Sequence, residues 1–272
     1  IVVGTVIASL QAGAVSYLYY ADRLYQLPLG IVGIAIGVVL LPELARQLRA
    51  GRIEQAMDTQ NRSLEFALVL TIPAAIALAV AAEPIISVLF ERGAFTEGDT
   101  DNTAWALRAF AIGLPAFVLI KVFQPAFFAR EDTKTPMYLA LVNMVANVIL
   151  SLALFQAFKA AGRMPHVGIA AATSIAGWLN ALLLWTMLAR AGDFNWDARL
   201  TRNLVIVTAA SLAMGVGLFA VMPYLEPYLA GAAPLYERVA GLAALVIGGA
   251  AVFFAIVTAT GVLRLSMLRR AV

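Results

Sequence analysis

The 272-residue chain contains no cysteine and a single histidine, His166. The first absence removes disulfide frameworks, thiolate metal sites and thiol nucleophiles together. The second leaves no set of imidazoles with which to build a zinc site. His166 stands beside a short polar stretch and reads as a plain loop or interfacial side chain. Charge is scarce as well: 13% of residues are charged, against about 25% in an ordinary soluble domain. There is no Walker loop, no G-x-G-x-x-G run, no Ser/His/Asp set and no closely paired carboxylates within an apolar stretch. Nothing therefore points to covalent or hydrolytic catalysis.

What the chain does have is apolar length. Hydrophobic residues make up 62% of it and the mean hydropathy is +0.88, which excludes a soluble globular enzyme and implies a polytopic α-helical membrane protein. Eight apolar runs bounded by ionisable residues fall at about 1–20, 27–42, 63–90, 103–129, 136–158, 166–189, 202–225 and 237–263. The second is short, but Leu44, Leu48 and the series Arg46, Arg49 and Arg52 continue it as an amphipathic helix leaving the membrane. The expected fold class is all-α, a bundle of about eight transmembrane helices, with a turn at Asp22/Arg23 joining the first two. Pro73, Pro84, Pro115 and Pro125 lie inside runs, which membrane helices tolerate where neighbours re-satisfy the freed backbone. The chain opens inside an apolar run without a Met or a charged leader, so it reads as a piece that starts within a transmembrane helix.

The basic residues sort by side. Alternate gaps carry twelve and five of the loop Lys and Arg residues; short basic loops are retained in the cytoplasm, so 43–62, 130–135, 190–202 and 264–272 are expected there, with a cytoplasmic C-terminus. The net charge of +3 is then a matter of topology, and no basic patch suggests a nucleic-acid partner. Tyr17, Tyr19, Tyr20 and Tyr25 gather at the outer end of the first hairpin as an aromatic belt would.

Apart from residues at the run edges, two basic residues remain inside a run, Arg108 and Lys121, both in the fourth. An ionisable group at membrane depth is costly unless it meets water or a partner. Arg108 is close enough to the outer end to snorkel, whereas Lys121 is about 13 Å of helix from Arg130 and is expected to line a polar cavity. Arg23 admits two readings, a rim ion pair with Asp22 or a guanidinium aimed into a cavity, where its planar fork suits phosphate. Glu65 and Glu83 sit near opposite ends of the third run and read as interfacial. Asn143 and Asn147 share a helix face, with Thr173 and Ser174 in the next run, a pattern that suggests hydrogen bonds between helices or a weak cation site of neutral oxygens.

Three stretches are more specific: SYLYYADRLYQLPLGIVGIAIGVVLLPEL (16–44), ISVLFERGAFTEGDT (86–100) and GLPAFVLIKVFQPAFFAREDTKTP (113–136). In content and order they resemble the MurJ/MviN family, bacterial lipid II flippases of the multidrug/oligosaccharidyl-lipid/polysaccharide exporter superfamily. The resemblance implies a fourteen-helix transporter, of which residues 1–190 would be the second six-helix lobe, its first helix truncated, and 191–272 the C-terminal helix pair. It implies a bacterial inner-membrane protein that exports lipid II by alternating access, with lipid II, membrane lipids and a missing N-terminal lobe as partners and no enzymatic step.

On that resemblance Arg23 occupies the place of the family's cavity arginine, and Asp22, Gln26, Arg108 and Lys121 join it as substrate-binding candidates. Many relatives carry Glu where this chain has Gln26. The last two runs would form a groove for the polyprenyl tail. A sodium site found in some members would fall on Asn143, Asn147 and Thr173, here without a carboxylate in the first run; no other cofactor is implied. The alternatives are another exporter of the superfamily, either a drug/cation antiporter or a polysaccharide-unit flippase, and a membrane-embedded polyprenyl-lipid transferase.

Overall fold

The computed structural model describes residues 2–229 and 233–262. Among the described residues there are nine α-helices and no strand: α1 Val2–Ala8, α2 Ala14–Arg49, α3 Ile53–Val80, α4 Ala82–Phe90, α5 Glu97–Phe128, α6 Lys134–Ala160, α7 Pro165–Arg190, α8 Ala198–Leu229 and α9 Leu235–Ala259. Seven of them, all but α1 and α4, are long and apolar enough to cross a membrane. The expected cytoplasmic cations Arg264, Arg269 and Arg270 lie outside the described residues.

The first two runs divide elsewhere than expected. The turn falls at 9–13, where Gly13 takes a φ of +77°, and α2 then continues without a break through Asp22, Arg23 and Pro28 to Arg49. Glycine enters the left-handed region without a Cβ penalty, whereas a lone charged dipeptide does not by itself stop a helix. With 36 residues, α2 is about 54 Å long, so the stretch expected to leave the membrane as an amphipathic tail belongs to the same rod. The third run divides at Ala81 into α3 and α4.

α5 is the central helix, packed against α2, α3 and α7. α2 meets this core with a stripe at helical spacing, Ala21, Leu24, Tyr25, Val32, Ile36, Leu40 and Leu44, all buried. Tyr25 stacks on Phe110 of α5 at 5.0 Å; it is a packing residue, where the sequence suggested an interfacial anchor. Across α5, Pro115 cannot donate to the Ala111 carbonyl one turn back, and α7 supplies donors to two other carbonyls of this stretch, those of Ile112 and Ala109. The Trp178 indole N–H of α7 donates to the Ile112 carbonyl at 3.0 Å, and the Ser174 hydroxyl donates to the Ala109 carbonyl at 2.7 Å. α6 and α7 approach closely at Gly168, where a Cβ would lie 2.8 Å from the Leu154 carbonyl carbon.

α8 is fixed to α3 by polar groups at one end. Glu65 of α3 is 9% exposed and accepts from Asn203, from Arg62 and, at 3.4 Å, from Arg199, while Arg62 also pairs with Asp197. Glu65 is thus an interior tie and not the interfacial residue expected. At the opposite end His166 is fully buried, correcting its reading as a loop side chain. Its Nε2 bonds the Asn102 carbonyl at 2.9 Å, and the Gln11 amide contacts its Nδ1 at 3.2 Å, so one ring joins α7, the start of α5 and the α1–α2 turn. Arg238 is buried at the start of α9. It donates to the Ser87 carbonyl at 2.6 Å, among the last carbonyls of α4, where the negative end of the helix favours a cation.

Candidate functional site

Burying Tyr25 against α5 decides where Arg23 points. Two residues along a helix are about 200° around it, so Arg23 emerges on the far side of α2. There it belongs to an exposed stripe with Tyr19, Leu27, Ile31, Ile34 and Val38. It is the charged member of an otherwise largely apolar face, about 13 Å of helix from Ala14. Facing lipid, that position would cost at least a few kcal/mol.

The rim ion pair with Asp22 does not form. Adjacent helical residues diverge by about 100°, and the Asp22 carboxylate accepts instead from the Gln26 amide one turn on. The Arg23 guanidinium lies 4.8 Å from the centroid of the Tyr19 ring, and among the described residues no carboxylate pairs with it. This leaves a full positive charge with its hydrogen-bonding edge available, the combination suited to phosphate.

Lys121 of α5 is also exposed and forms no ion pair among the described residues. Its stem runs beside α2 at Gly33, where a Cβ would stand 3.9 Å from the Lys121 Cγ. Gly33 is ten residues beyond Arg23, about 15 Å along the axis, so two unpaired cations occupy different depths beside one helix. Arg108 is placed apart from them: its Nη2 is 3.6 Å from the Glu83 carboxylate, and its guanidinium lies 4.7 Å from the Trp105 ring centroid. Asp22 and Gln26 adjoin Arg23 in sequence but bind one another.

Of the candidate sodium ligands, Asn147 donates to the Thr173 hydroxyl at 3.3 Å, and that hydroxyl donates to the Ile169 carbonyl at 3.0 Å. These two side chains form a bond between α6 and α7, while the buried Asn143 Oδ1 has no partner among the described residues. One free amide oxygen without a carboxylate is a poor match for the several oxygens a hard cation gathers. Among the described residues, no group of three or more His, Cys, Asp or Glu side chains is placed to hold a metal.

Two apolar recesses open on this framework. A groove of about 200 Å³ between α3, α4, α8 and α9 is lined by Val69, Pro73, Ala77, Met214, Leu218 and Phe253. A cleft of about 380 Å³ between α3, α5, α7 and α8 holds Trp178, Trp185 and Trp196. Sequence reasoning did not single out Tyr19 as Arg23's partner, although the i, i+4 spacing was there to be read. It had no signal for His166, whose partner Gln11 is 155 positions away.

Comparison with known proteins follows the same lines. A family model described as lipid II flippase MurJ matches residues 1–237. Proteins named probable lipid II flippase MurJ are similar at 47% identity over 272 residues in Rhizobium meliloti (strain 1021), covering 100% of this chain and 50% of the relative. The Rhizobium tropici protein of that name is 44% identical over 270 residues, covering 99% and 50%. A solved structure described as lipid II flippase MurJ in an inward closed conformation superposes with a TM-score of 0.75 at 26% identity, over 95% of this chain and 50% of that one. The chain spans about half the length of the curated relatives it matches.

Proposed function

Since the chain belongs to the lipid II flippase MurJ family, we propose that it supplies the second lobe and C-terminal helix pair of a lipid II flippase of the bacterial inner membrane. In this reading residues 1–190 are the lobe, 191–272 the pair, and a first lobe completes the central cavity. The observation that carries it is Arg23: a permanently charged side chain on an unpacked, largely apolar face of a helix long enough to cross the membrane, without a carboxylate partner among the described residues. Moving a pyrophosphate through hydrocarbon requires cations that offset the desolvation of the anion, and Arg23 is placed to provide one. Lys121 of α5 stands beside α2 at Gly33, about 15 Å further along that helix. Arg108 is engaged with Glu83, so it serves as an outer anchor. The apolar groove beside α8 and α9 takes a short stretch of the polyprenyl tail. Because alternating access also requires release, the grip is shared between two lobes.

The test is complementation in cells depleted of their own flippase, using the flippase that carries this lobe at matched expression. Lys at position 23 keeps the charge but loses the bidentate fork, so Arg23→Lys should rescue growth partly and Arg23→Ala not at all. Full rescue by Arg23→Ala would overturn the assignment.

A further inference from the structure

Tyr19 stands one turn before Arg23 and is 53% exposed. Its hydroxyl makes no hydrogen bond among the described residues, and its ring meets Tyr20 edge-on at 5.9 Å, away from the buried stripe of α2. The contact that fixes the ring is the guanidinium of Arg23, 4.8 Å from its centroid. A guanidinium resting on an aromatic face is held by the ring quadrupole. The N–H groups that make up its fork project from the edge of the plane and stay free. A carboxylate partner would do the reverse, since it would occupy the fork and cancel the charge. Asp22, the nearest carboxylate in sequence, is directed elsewhere by its bond with Gln26.

We propose that Tyr19 is a positioning residue for Arg23: it fixes the guanidinium by its face, so that the N–H edge is presented to the phosphate oxygens of a lipid-linked pyrophosphate. This rests on the reading of Arg23 given above. The ring restricts a long side chain that would otherwise sample many rotamers, and it does so without taking any of the charge the anion needs.

The measurement is binding of lipid II to the purified flippase that carries this lobe, arranged as a double-mutant cycle. Tyr19→Leu should weaken binding about two- to fivefold, the range expected for an exposed cation–π contact, and Tyr19→Phe should bind as wild type because the ring face is retained. In an Arg23→Ala background, Tyr19→Leu should have no further effect. Unchanged binding by Tyr19→Leu alongside weakened binding by Arg23→Ala would overturn the positioning role and leave the phosphate reading intact. An equal loss from Tyr19→Leu with or without Arg23 would also overturn it, since Tyr19 would then act on the fold or on the lipid directly. Unchanged binding by Arg23→Ala would overturn both.

Discussion

Asn203 of α8 donates its side-chain amide to the buried carboxylate of Glu65 on α3 at 2.5 Å, across 138 positions of sequence. With Arg62 and Arg199 on the same carboxylate and Asp197 paired to Arg62, the C-terminal helices are tied to the preceding bundle by a polar clasp as well as by apolar packing.

Glu65→Ala should therefore loosen α8. Removing the carboxylate strands the Asn203 amide and leaves two arginines short of a partner, a loss of about 1–3 kcal/mol. Glu65→Gln keeps the bond to Asn203 and should lie between. Thermal unfolding in detergent reads the order. Equal midpoints for wild type and Glu65→Ala would show that apolar contacts alone hold α8.

Gly168 is the second point of leverage. A methyl group there would meet the backbone of Leu154, which cannot rotate away, so Gly168→Ala should push α6 from α7 at a cost of about 1–3 kcal/mol. Gly217 is the control: a Cβ there meets nothing within 4 Å, and Gly217→Ala should be neutral or gain up to about 1 kcal/mol from helix propensity. Unfolding midpoints of the two variants should move in opposite directions or differ clearly.

Asp132 ends the turn between α5 and α6. Its carboxylate accepts the Thr135 N–H at 2.9 Å, and hydrogen bonds from the Thr135 side chain and backbone hold its pKa below the ordinary 3.8. A depressed carboxyl stabilises above its unfolded pKa and loses that contribution as pH falls through the folded value. The start of α6 should accordingly fray as pH drops below 3.8, seen as faster exchange of the Thr135 amide beyond the intrinsic trend. Asp132→Asn should remove that pH dependence.

Topology can be tested directly because the chain has no cysteine of its own. An impermeant thiol reagent added outside intact cells should label Glu97→Cys, at the exposed start of α5, and spare Glu54→Cys near the start of α3. The reverse pattern would invert the orientation.

The sequence reveals the bundle more readily than its joints. Apolar runs are set by the thickness of hydrocarbon, which acts on composition alone, so the helices from α5 onward appear within a few residues of their expected limits. Where a helix turns depends on local backbone freedom, and there Gly13 mattered more than the charges at Asp22 and Arg23. The residues of the candidate site were named from the sequence, Lys121 by the cost of a charge inside an apolar run and Arg23 by a motif. The direction Arg23 takes follows from Tyr25 stacking on Phe110, a pairing between distant positions that no window of sequence contains. Glu65 and His166 were misjudged for the same reason, since their partners come from remote helices.

α2 is one continuous helix from Ala14 to Arg49 with Pro28 and Pro42 inside it, and a rocking motion would carry its two ends as those of a seesaw beam. Arg23 stands about 13 Å from the middle of that beam and Arg49 about 26 Å beyond it on the other side. A tilt of about 10° around the middle would carry Arg23 by about 2 Å, and the length of a hydrogen bond is set to within a few tenths of an ångström. If Arg23 grips the anion as proposed, gripping and releasing it would demand only a small rocking of α2, with the basic far end as the longer arm.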